Sequence, residues 1–352
     1  MKTQSIPGML IYGGPMCSCI KMSKNFFTPH QIKIILLFLS IFIILPETAF
    51  ALSEPAPAGN HLPLAASICI RKAQSMMEKG RIHKAIVLLE NFKELQRRVD
   101  KRTAEKKGYT HYYINFLLGN CYLARSHDDR SDNAKLKKKY TEKAFQSYRE
   151  ALKKKPDLSP AWLNLAKCAY ELNNMAEAAE AFLKGYETSK EKKAIYLYYA
   201  SICYAGAGDT KNALKYARYL TAAYPLEPKW WKALSNLYLN NNDLKQGLAA
   251  LISYSFLAPL KDNEISLAAD LYLSLNIPSK AAFYYEKLLQ KKIDRKKINK
   301  IVYAYMENFQ VNKALKWINK GLVLYKSDKD LLKQKVAANA LLNFNAINDV
   351  VK

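Results

Sequence analysis

Small residues recur along the chain at a nearly constant interval, and this spacing constrains the fold more than any other feature of the sequence. They are Ala178, Ala213, Gly247, Ala281 and Ala314, separated by 35, 34, 34 and 33 residues. A fixed period of about 20 to 50 residues is the signature of a repeat architecture, in which each unit buries its apolar face against its neighbours. The chain is therefore expected to build a stack of similar units.

Each small residue lies within the same pattern of apolar and small residues. Around Gly247 the pattern is Trp231, Leu234, Ser235, Tyr238, Gly247, Leu251 and Pro259. Apolar residues at i, i+3, i+4 and i+7 form one face of a helix, and segments rich in Gly, Asn and Pro separate the helical stretches. Two less regular copies lie upstream, and the second contains an inserted loop at about residues 124–136.

This pattern resembles the tetratricopeptide repeat, in which a large apolar residue, Leu, a small residue and Tyr precede Ala, an aromatic residue and Pro. The resemblance implies an all-α fold, a right-handed α-solenoid of about seven helix-turn-helix repeats with a C-terminal capping helix. The solenoid is expected within residues 64–352, with repeats near 66–108, 112–158, 159–193, 194–227, 228–261, 262–294 and 295–327 and a cap at 328–352.

The charged segment 90–108 departs from the pattern. It is expected to prolong the second helix of the first repeat, either as a protruding helix that a partner contacts or as a plain solvated extension. The paired Trp230 and Trp231 are expected to be core residues. Trp231 occupies the position that packs between the two helices of its own repeat, and Trp230 faces the second helix of the preceding repeat.

The N-terminal apolar run, residues 34–45, follows Lys33 and precedes the small-residue motif Ala49-x-Ala51. It is shorter than the roughly 20 apolar residues that a membrane-spanning helix needs, and its flanks match a secretory signal peptide. Residues 1–51 are therefore predicted to be a signal peptide, with Met22 as an alternative start, and residues 52–63 a flexible linker. The protein is expected to be exported to the periplasm; an uncleaved inner-membrane anchor is the alternative.

The chain is strongly basic, with 55 Lys and Arg against 30 Asp and Glu. Removal of residues 1–51 takes away four lysines and one glutamate and leaves a net charge of +22. This charge favours acidic protein segments, anionic membrane surfaces or glycans as partners, and export argues against nucleic acid. The alternative is that the lysines simply solvate helix faces and loops.

No phosphate-binding Gly-rich loop, GxSxG, HExxH or paired CxxC motif occurs. The chain is therefore predicted to be non-enzymatic, without a cofactor or metal, and the cluster His127, Asp128, Asp129 and Asp132 is expected to be a solvated loop. Cys121, Cys168 and Cys203 occupy equivalent positions in three repeats, about 8–10 Å apart. Disulfides need Cα atoms within about 7 Å, so these cysteines and Cys69 are predicted to be free, buried thiols.

In tetratricopeptide repeat proteins the first helices of the repeats line a concave groove that binds an extended peptide or a helix. The family's groove positions, carried over to this sequence, imply a protein partner that is acidic or bears a carboxylate. The candidate residues are Phe116, Asn120, Asn164, Lys167, Tyr170, Tyr198, Tyr199, Lys229, Lys232, Asn236, Lys296, Lys300 and Tyr303.

Four of these residues match the family's carboxylate clamp, which takes five positions. They are Lys232, Asn236, Lys296 and Lys300, whereas Leu267 stands where the clamp has its second Asn. The match therefore has two interpretations, a partial clamp or a coincidence in a lysine-rich chain.

The leading functional hypothesis is a periplasmic scaffold that docks an envelope machine. The repeats "SPAWLNLAKCAY" and "EPKWWKALSNLYL" resemble those of periplasmic repeat proteins that accompany TonB/ExbB/ExbD energy-transduction systems. The alternative is a scaffold for the outer-membrane assembly or export of polysaccharide, pili or protein.

Overall fold

The computed structural model describes residues 62–128 and 133–351, and all the regular structure in them is helical. The predicted signal peptide, nearly all of the linker and residues 129–132 of the inserted loop lie outside the described residues. The α-helices are α1 Leu64–Glu78, α2 Ile82–Glu94, α3 Lys101–Lys107, α4 Tyr112–Ser126, α5 Ala134–Lys154, α6 Ser159–Glu171, α7 Met175–Thr188, α8 Ala194–Gly206, α9 Thr210–Ala223, α10 Pro228–Asn240, α11 Leu244–Leu257, α12 Asp262–Ser274, α13 Pro278–Lys291, α14 Arg295–Glu307, α15 Val311–Leu324 and α16 Lys329–Val351.

Successive helices pack in chain order and form an all-α solenoid, as the spacing predicts. The helix pairs α1–α2, α4–α5, α6–α7, α8–α9, α10–α11, α12–α13 and α14–α15 each form a hairpin, and each hairpin contacts the next. The last helix, α16, packs on α15. In the described part of the chain no helix is both long and apolar enough to cross a membrane.

The hairpin turns repeat the same backbone conformation. After the first helix of six hairpins, one residue has a positive φ; these residues are Gly80, Asn173, Gly208, Asn242, Asn276 and Phe309. The amide of Asn242 donates to the carbonyl of Leu239 at 3.0 Å, and that of Asp243 donates to Tyr238 at 2.9 Å. This pattern ends a helix with a left-handed residue. In the last five hairpins it precedes the recurring small residue by five positions, so both features keep the same spacing.

The small residues allow the two helices of a hairpin to approach closely. A Cβ atom on Gly247 would lie 2.4 Å from Cδ2 of Leu239 on the facing helix. The hydroxyl of Ser235 donates to the Gly247 carbonyl at 2.8 Å, and Ser201 makes the equivalent bond to Ala213 at 2.8 Å. The small residues that recur in the sequence are therefore residues at which the two helices of a hairpin approach closely.

The segment 90–108 differs from its predicted form as one prolonged helix. Helix α2 ends at Glu94 and a 3-10 turn runs from Leu95 to Arg98. The Asp100 side chain then accepts the Thr103 amide at 3.0 Å and starts a separate short helix, α3, which Gly108 ends at φ 75°. The caps at Asp100 and Gly108 thus produce a separate short helix in place of a continuation of α2.

Helix α4 is apolar on nearly all sides and is almost entirely buried. Twelve of its 15 residues are buried, because α2, α5 and α6 all pack around it. Its partner α5 has 21 residues, seven more than α7, so much of the insertion extends this helix. The second hairpin therefore belongs to an N-terminal core rather than to an open row of helices.

The four described cysteines are free and buried, as predicted. Burial raises the pKa of the Cys69 thiol to about 11 and those of Cys121 and Cys203 to about 12. Burial also raises the pKa of Cys168. Each thiol is therefore held in its neutral form.

Candidate partner-binding surface

Helix α8 exposes an uncharged stripe on the face opposite the one that packs on α9. Its fully buried residues include Leu197 and Ala200, and its Ser201 bonds to α9. The stripe residues are spaced at i, i+3, i+4 and i+7, which places them on one helix face. They are half-buried: Ile195, Tyr198, Tyr199 and Ile202.

The two stripe tyrosines connect α8 to the neighbouring hairpins. The centroid of the Tyr199 ring lies 5.3 Å from that of Phe182 on α7, and the Tyr198 ring lies 5.2 Å from Trp230 on α10. The two tyrosine rings are 5.7 Å apart. Burial raises the pKa of both phenols, so the stripe stays uncharged at neutral pH.

Lysines stand on both sides of the stripe. Lys167 on α6 is half-buried, and this burial lowers the pKa of its ammonium group. Lys229 on α10 is exposed, with its Nζ 4.4 Å from the centroid of the Trp230 ring and 3.6 Å from a carboxylate oxygen of Glu227. We call Lys167, Lys229 and the four stripe residues the central surface.

Two other lysines of the first helices already have carboxylate partners in this chain. Nζ of Lys232 lies 2.6 Å from an oxygen of Glu264, and Nζ of Lys300 lies 2.7 Å from an oxygen of Asp270. Glu264 is buried, and its other oxygen accepts the Lys261 amide at 2.8 Å at the start of α12. These two lysines of the first helices are therefore neutralised by carboxylates of the chain itself.

Two polar triads share one arrangement. The Tyr148 hydroxyl on α5 donates to Oδ1 of Asn120 on α4 at 2.8 Å, and Nδ2 of Asn164 on α6 donates to the same oxygen at 3.2 Å. Four hairpins further on, Tyr285 on α13 donates to Asp270 on α12, which also accepts from Lys300 on α14. In each triad a second-helix tyrosine reaches a first-helix residue that contacts the next hairpin.

Residues 136–197 match a family model described as tetratricopeptide repeat. These residues are tetratricopeptide repeats. They run from α5 into α8, so the assigned segment includes Lys167 and part of the α8 stripe.

Solved structures are similar over a larger part of the chain. A chain in the Naa15/Naa10 complex bound to HypK-THB aligns with a TM-score of 0.53 and 14% identity over 77% of this chain, which spans only 39% of that one. The C-terminal part of a TPR repeat-containing protein from Cytophaga hutchinsonii aligns with a TM-score of 0.46 and 17% identity, covering 75% of this chain and 98% of the other. The TPR protein YrrB aligns with a TM-score of 0.41 and 14% identity, covering 56% and 93%. No curated protein sequence gives a significant match.

The structure places three of the predicted tetratricopeptide groove residues in the interior. Phe116, Asn120 and Asn164 are 0%, 2% and 4% exposed, so they offer no surface to a partner. Phe116 and Asn120 are buried because α4 is enclosed, and Asn164 on α6 is buried where its amide donates to Asn120. The other candidates are accessible: Lys229 and Lys296 are exposed, and Lys167, Tyr170, Tyr198, Tyr199, Lys232, Asn236, Lys300 and Tyr303 are half-buried.

The sequence reasoning missed four residues that shape this surface. They are Ile195, Ile202, Glu264 and Asp270. Ile195 and Ile202 share a helical face with Tyr198 and Tyr199, so the spacing could have revealed them. Glu264 and Asp270 act across hairpins, and no spacing along the chain indicates which lysine each one meets.

The paired tryptophans both pack, but not equally. Trp230 is 3% exposed and contacts Leu197 and Leu220, the latter on the preceding second helix, as predicted. Trp231 is only half-buried, and its Nε1 donates to the carbonyl of Pro225 at 2.8 Å. Trp162 makes the equivalent bond to Pro156 at 2.7 Å, so this tryptophan position fastens the start of a hairpin to the preceding turn.

Proposed function

We propose that the chain is a non-enzymatic scaffold that binds a segment of a protein partner in the concave groove of its tetratricopeptide repeats. The observation that carries the proposal is the accessible, uncharged stripe of α8 between Lys167 and Lys229. Half-buried aromatic rings supply contact area at a small cost in side-chain entropy, and the lysines supply electrostatic orientation. These features suit the binding of a partner rather than catalysis.

The finer proposal is that this scaffold works in the periplasm as an accessory of a TonB-type energy-transduction system. Its support is the signal-like pattern of residues 1–51 and the resemblance of the repeats to those of periplasmic accessory proteins. If the signal is cleaved, the first residue of the mature protein is Leu52. N-terminal sequencing of protein from the periplasmic fraction tests this, and a chain that keeps residues 1–51 would contradict it.

The partner can be captured in living cells with a photo-crosslinking residue at Tyr199. The matched control carries it at Phe256 on the second helix α11, where the side chain is 84% exposed. We expect a specific crosslinked protein from position 199 and not from position 256. A transducer component would support the TonB-type role, an outer-membrane export or assembly component would support the alternative, and equal capture from both positions would overturn groove binding.

A further inference from the structure

The lysines of the first helices differ in whether a carboxylate of this chain already pairs with them. Lys232 and Lys300, two residues of the partial clamp, pair with Glu264 and Asp270. A partner carboxylate at either lysine would have to displace a carboxylate that is already in place, and for Glu264 one that is buried. Recognition of an acidic segment is therefore unfavourable at these two lysines.

The opposite holds around α8. The Lys167 ammonium is half-buried and this desolvation lowers its pKa, so a partner carboxylate beside it would stabilise the charged form. Glu171, one turn along α6, attracts Lys167 but is also bonded to His127 at 2.9 Å. On the other side, Lys229 is exposed, and its closest carboxylate, Glu227, is 3.6 Å away and equally accessible to water.

Between these lysines the stripe has no charge to satisfy. Its four side chains are two isoleucines and two neutral tyrosines, all half-buried. Burying the remaining apolar area under a ligand would contribute roughly 25 cal/mol per Å². An entirely acidic segment would gain nothing here and would lose the hydration of any charge placed over the stripe.

We propose that the central surface recognises an amphipathic segment whose apolar or aromatic centre covers the α8 stripe and whose acidic flanks contact Lys167 and Lys229. This inference rests on the proposed function and names the chemistry of its partner. Helix α8, about 10–12 Å in diameter, lies between the two lysines in chain order. The two acidic flanks must therefore be separated by at least about three or four residues of extended chain.

The test uses fluorescent peptides of about 12 residues, a length that more than covers this span, and fluorescence anisotropy with the purified protein. One peptide has an apolar, aromatic centre and glutamates at both ends. A second keeps the centre but has lysine ends, and a third keeps the glutamates but has a serine-glycine centre. We expect the first peptide to bind at least about tenfold more tightly than either control, equivalent to about 1.4 kcal/mol. Equal affinity for the first and third peptides would overturn the inference.

Variants locate the binding. We expect Ile202→Lys and Lys167→Glu each to weaken binding of the first peptide about tenfold or more. Two changes on the second helix α11 are the matched controls: Phe256→Ser removes an exposed apolar side chain, and Lys245→Glu makes the same charge change at an exposed lysine. Both controls should leave affinity within about twofold. Circular dichroism and thermal melting verify that every variant is folded, and a folded Ile202→Lys variant with undiminished affinity would contradict the proposal.

Two outcomes separate this inference from the proposed function. If crosslinking at Tyr199 captures a partner but Ile202→Lys leaves that capture unchanged, the scaffold role stands and the amphipathic specificity is wrong. If position 199 captures no more than position 256, both are wrong. Salt gives an independent readout. Raising the ionic strength should lower the affinity of the first peptide towards the affinity that its apolar centre alone provides, because solvent-accessible charge pairs are screened.

Discussion

At the scale of single residues, the two adjacent tryptophans show how burial and hydrogen bonding can oppose each other. Trp230 is 3% exposed, yet its indole N–H has no acceptor among the described residues. Trp231 is more accessible but donates to Pro225 at 2.8 Å. A buried, unsatisfied donor costs about 1–3 kcal/mol, so depth of burial alone does not rank these two side chains.

We therefore predict that Trp230→Phe is no more destabilising than Trp231→Phe. The first change leaves a small void but removes the unsatisfied donor, and the second loses a hydrogen bond that contributes about 1 kcal/mol. Urea denaturation of both variants measures the difference in the free energy of unfolding. A Trp230→Phe variant that is less stable than Trp231→Phe by about 2 kcal/mol or more would mean that the indole N–H has a partner, such as a buried water.

Phe309 occupies a turn position where the neighbouring repeats have glycine or asparagine. Its φ is 55° and its side chain is 85% exposed, so it bears the strain of a left-handed backbone without much packing in return. Left-handed conformation costs a typical residue about 1–2 kcal/mol. We predict that Phe309→Asn, which copies Asn173, Asn242 and Asn276, raises the free energy of unfolding by about 1 kcal/mol.

Thermal unfolding measures the effect of Phe309→Asn. The control is Phe256→Asn, which replaces an equally exposed phenylalanine in helix α11 and should bring no gain, because the two residues have similar helix propensities and no left-handed strain is relieved there. A Phe309→Asn protein with an unchanged or lower Tm would contradict the strain argument.

At the scale of helices, the Asp328 side chain both caps the start of the last helix, α16, and links it to α14. Asp328 accepts the Leu331 amide at 2.9 Å at the start of α16, and it pairs with Arg295 on α14. The hydrogen bond from Arg295, followed by the bond from the Leu331 amide, lowers the pKa of Asp328 to about 2. The carboxylate therefore stabilises the folded state above its ordinary pKa of 3.8, and this contribution disappears as the pH falls through about 2.

We predict that Asp328→Asn loosens α16 at neutral pH and that its effect shrinks as the pH falls from about 4 to about 2. Hydrogen exchange should show faster exchange of amides in the first turn of α16 than in the wild-type protein, with little change in α8. The Tm difference between the two proteins should narrow across the same pH window. A difference that stays constant down to pH 2 would show that the charge of Asp328 contributes nothing.

The helices also show where sequence reasoning succeeds. The interval between small residues predicted the hairpins from Ala178 onwards, because the same residues that recur in sequence make the close helix contacts, as Gly247 does against Leu239. The charged segment 90–108 was predicted less well. It is expected from the sequence to prolong the second helix of the first repeat, but the caps at Asp100 and Gly108 start and end a separate short helix.

At the scale of the whole molecule, the solenoid is held together by packing between neighbouring hairpins and not by cross-links. Its four described cysteines are buried, free and in neutral form. We predict that a thiol reductant leaves the Tm unchanged and that alkylation of these cysteines by iodoacetamide requires unfolding, because the thiolate is the reactive form. Rapid alkylation of the folded protein, or a lower Tm under reducing conditions, would contradict this.

The candidate surface was only partly predictable from the sequence. The family's positions identified Tyr198, Tyr199, Lys167 and Lys229 because the register of the hairpins is regular there. The same positions failed at Phe116 because α4 is enclosed on all sides, a property of three-dimensional packing around one helix. Internal neutralisation of Lys232 and Lys300 was likewise unpredictable, since it depends on side chains contributed by other hairpins.

The two polar triads imply that replacing the residues of one triad with those of the other is easier in one direction than in the reverse. Asn120 and Asn164 are 2% and 4% exposed, whereas the side chains of Asp270 and Lys300 keep 18% and 19% exposure. Two asparagines at the positions of Asp270 and Lys300 would cost little stability, because water reaches that site. An Asp–Lys pair at the buried positions of Asn120 and Asn164 would lose the hydration of two charges, and the attraction between the charges often fails to offset that loss. A duplicated repeat can therefore lose its charges as later packing encloses it, while an enclosed repeat cannot easily regain them.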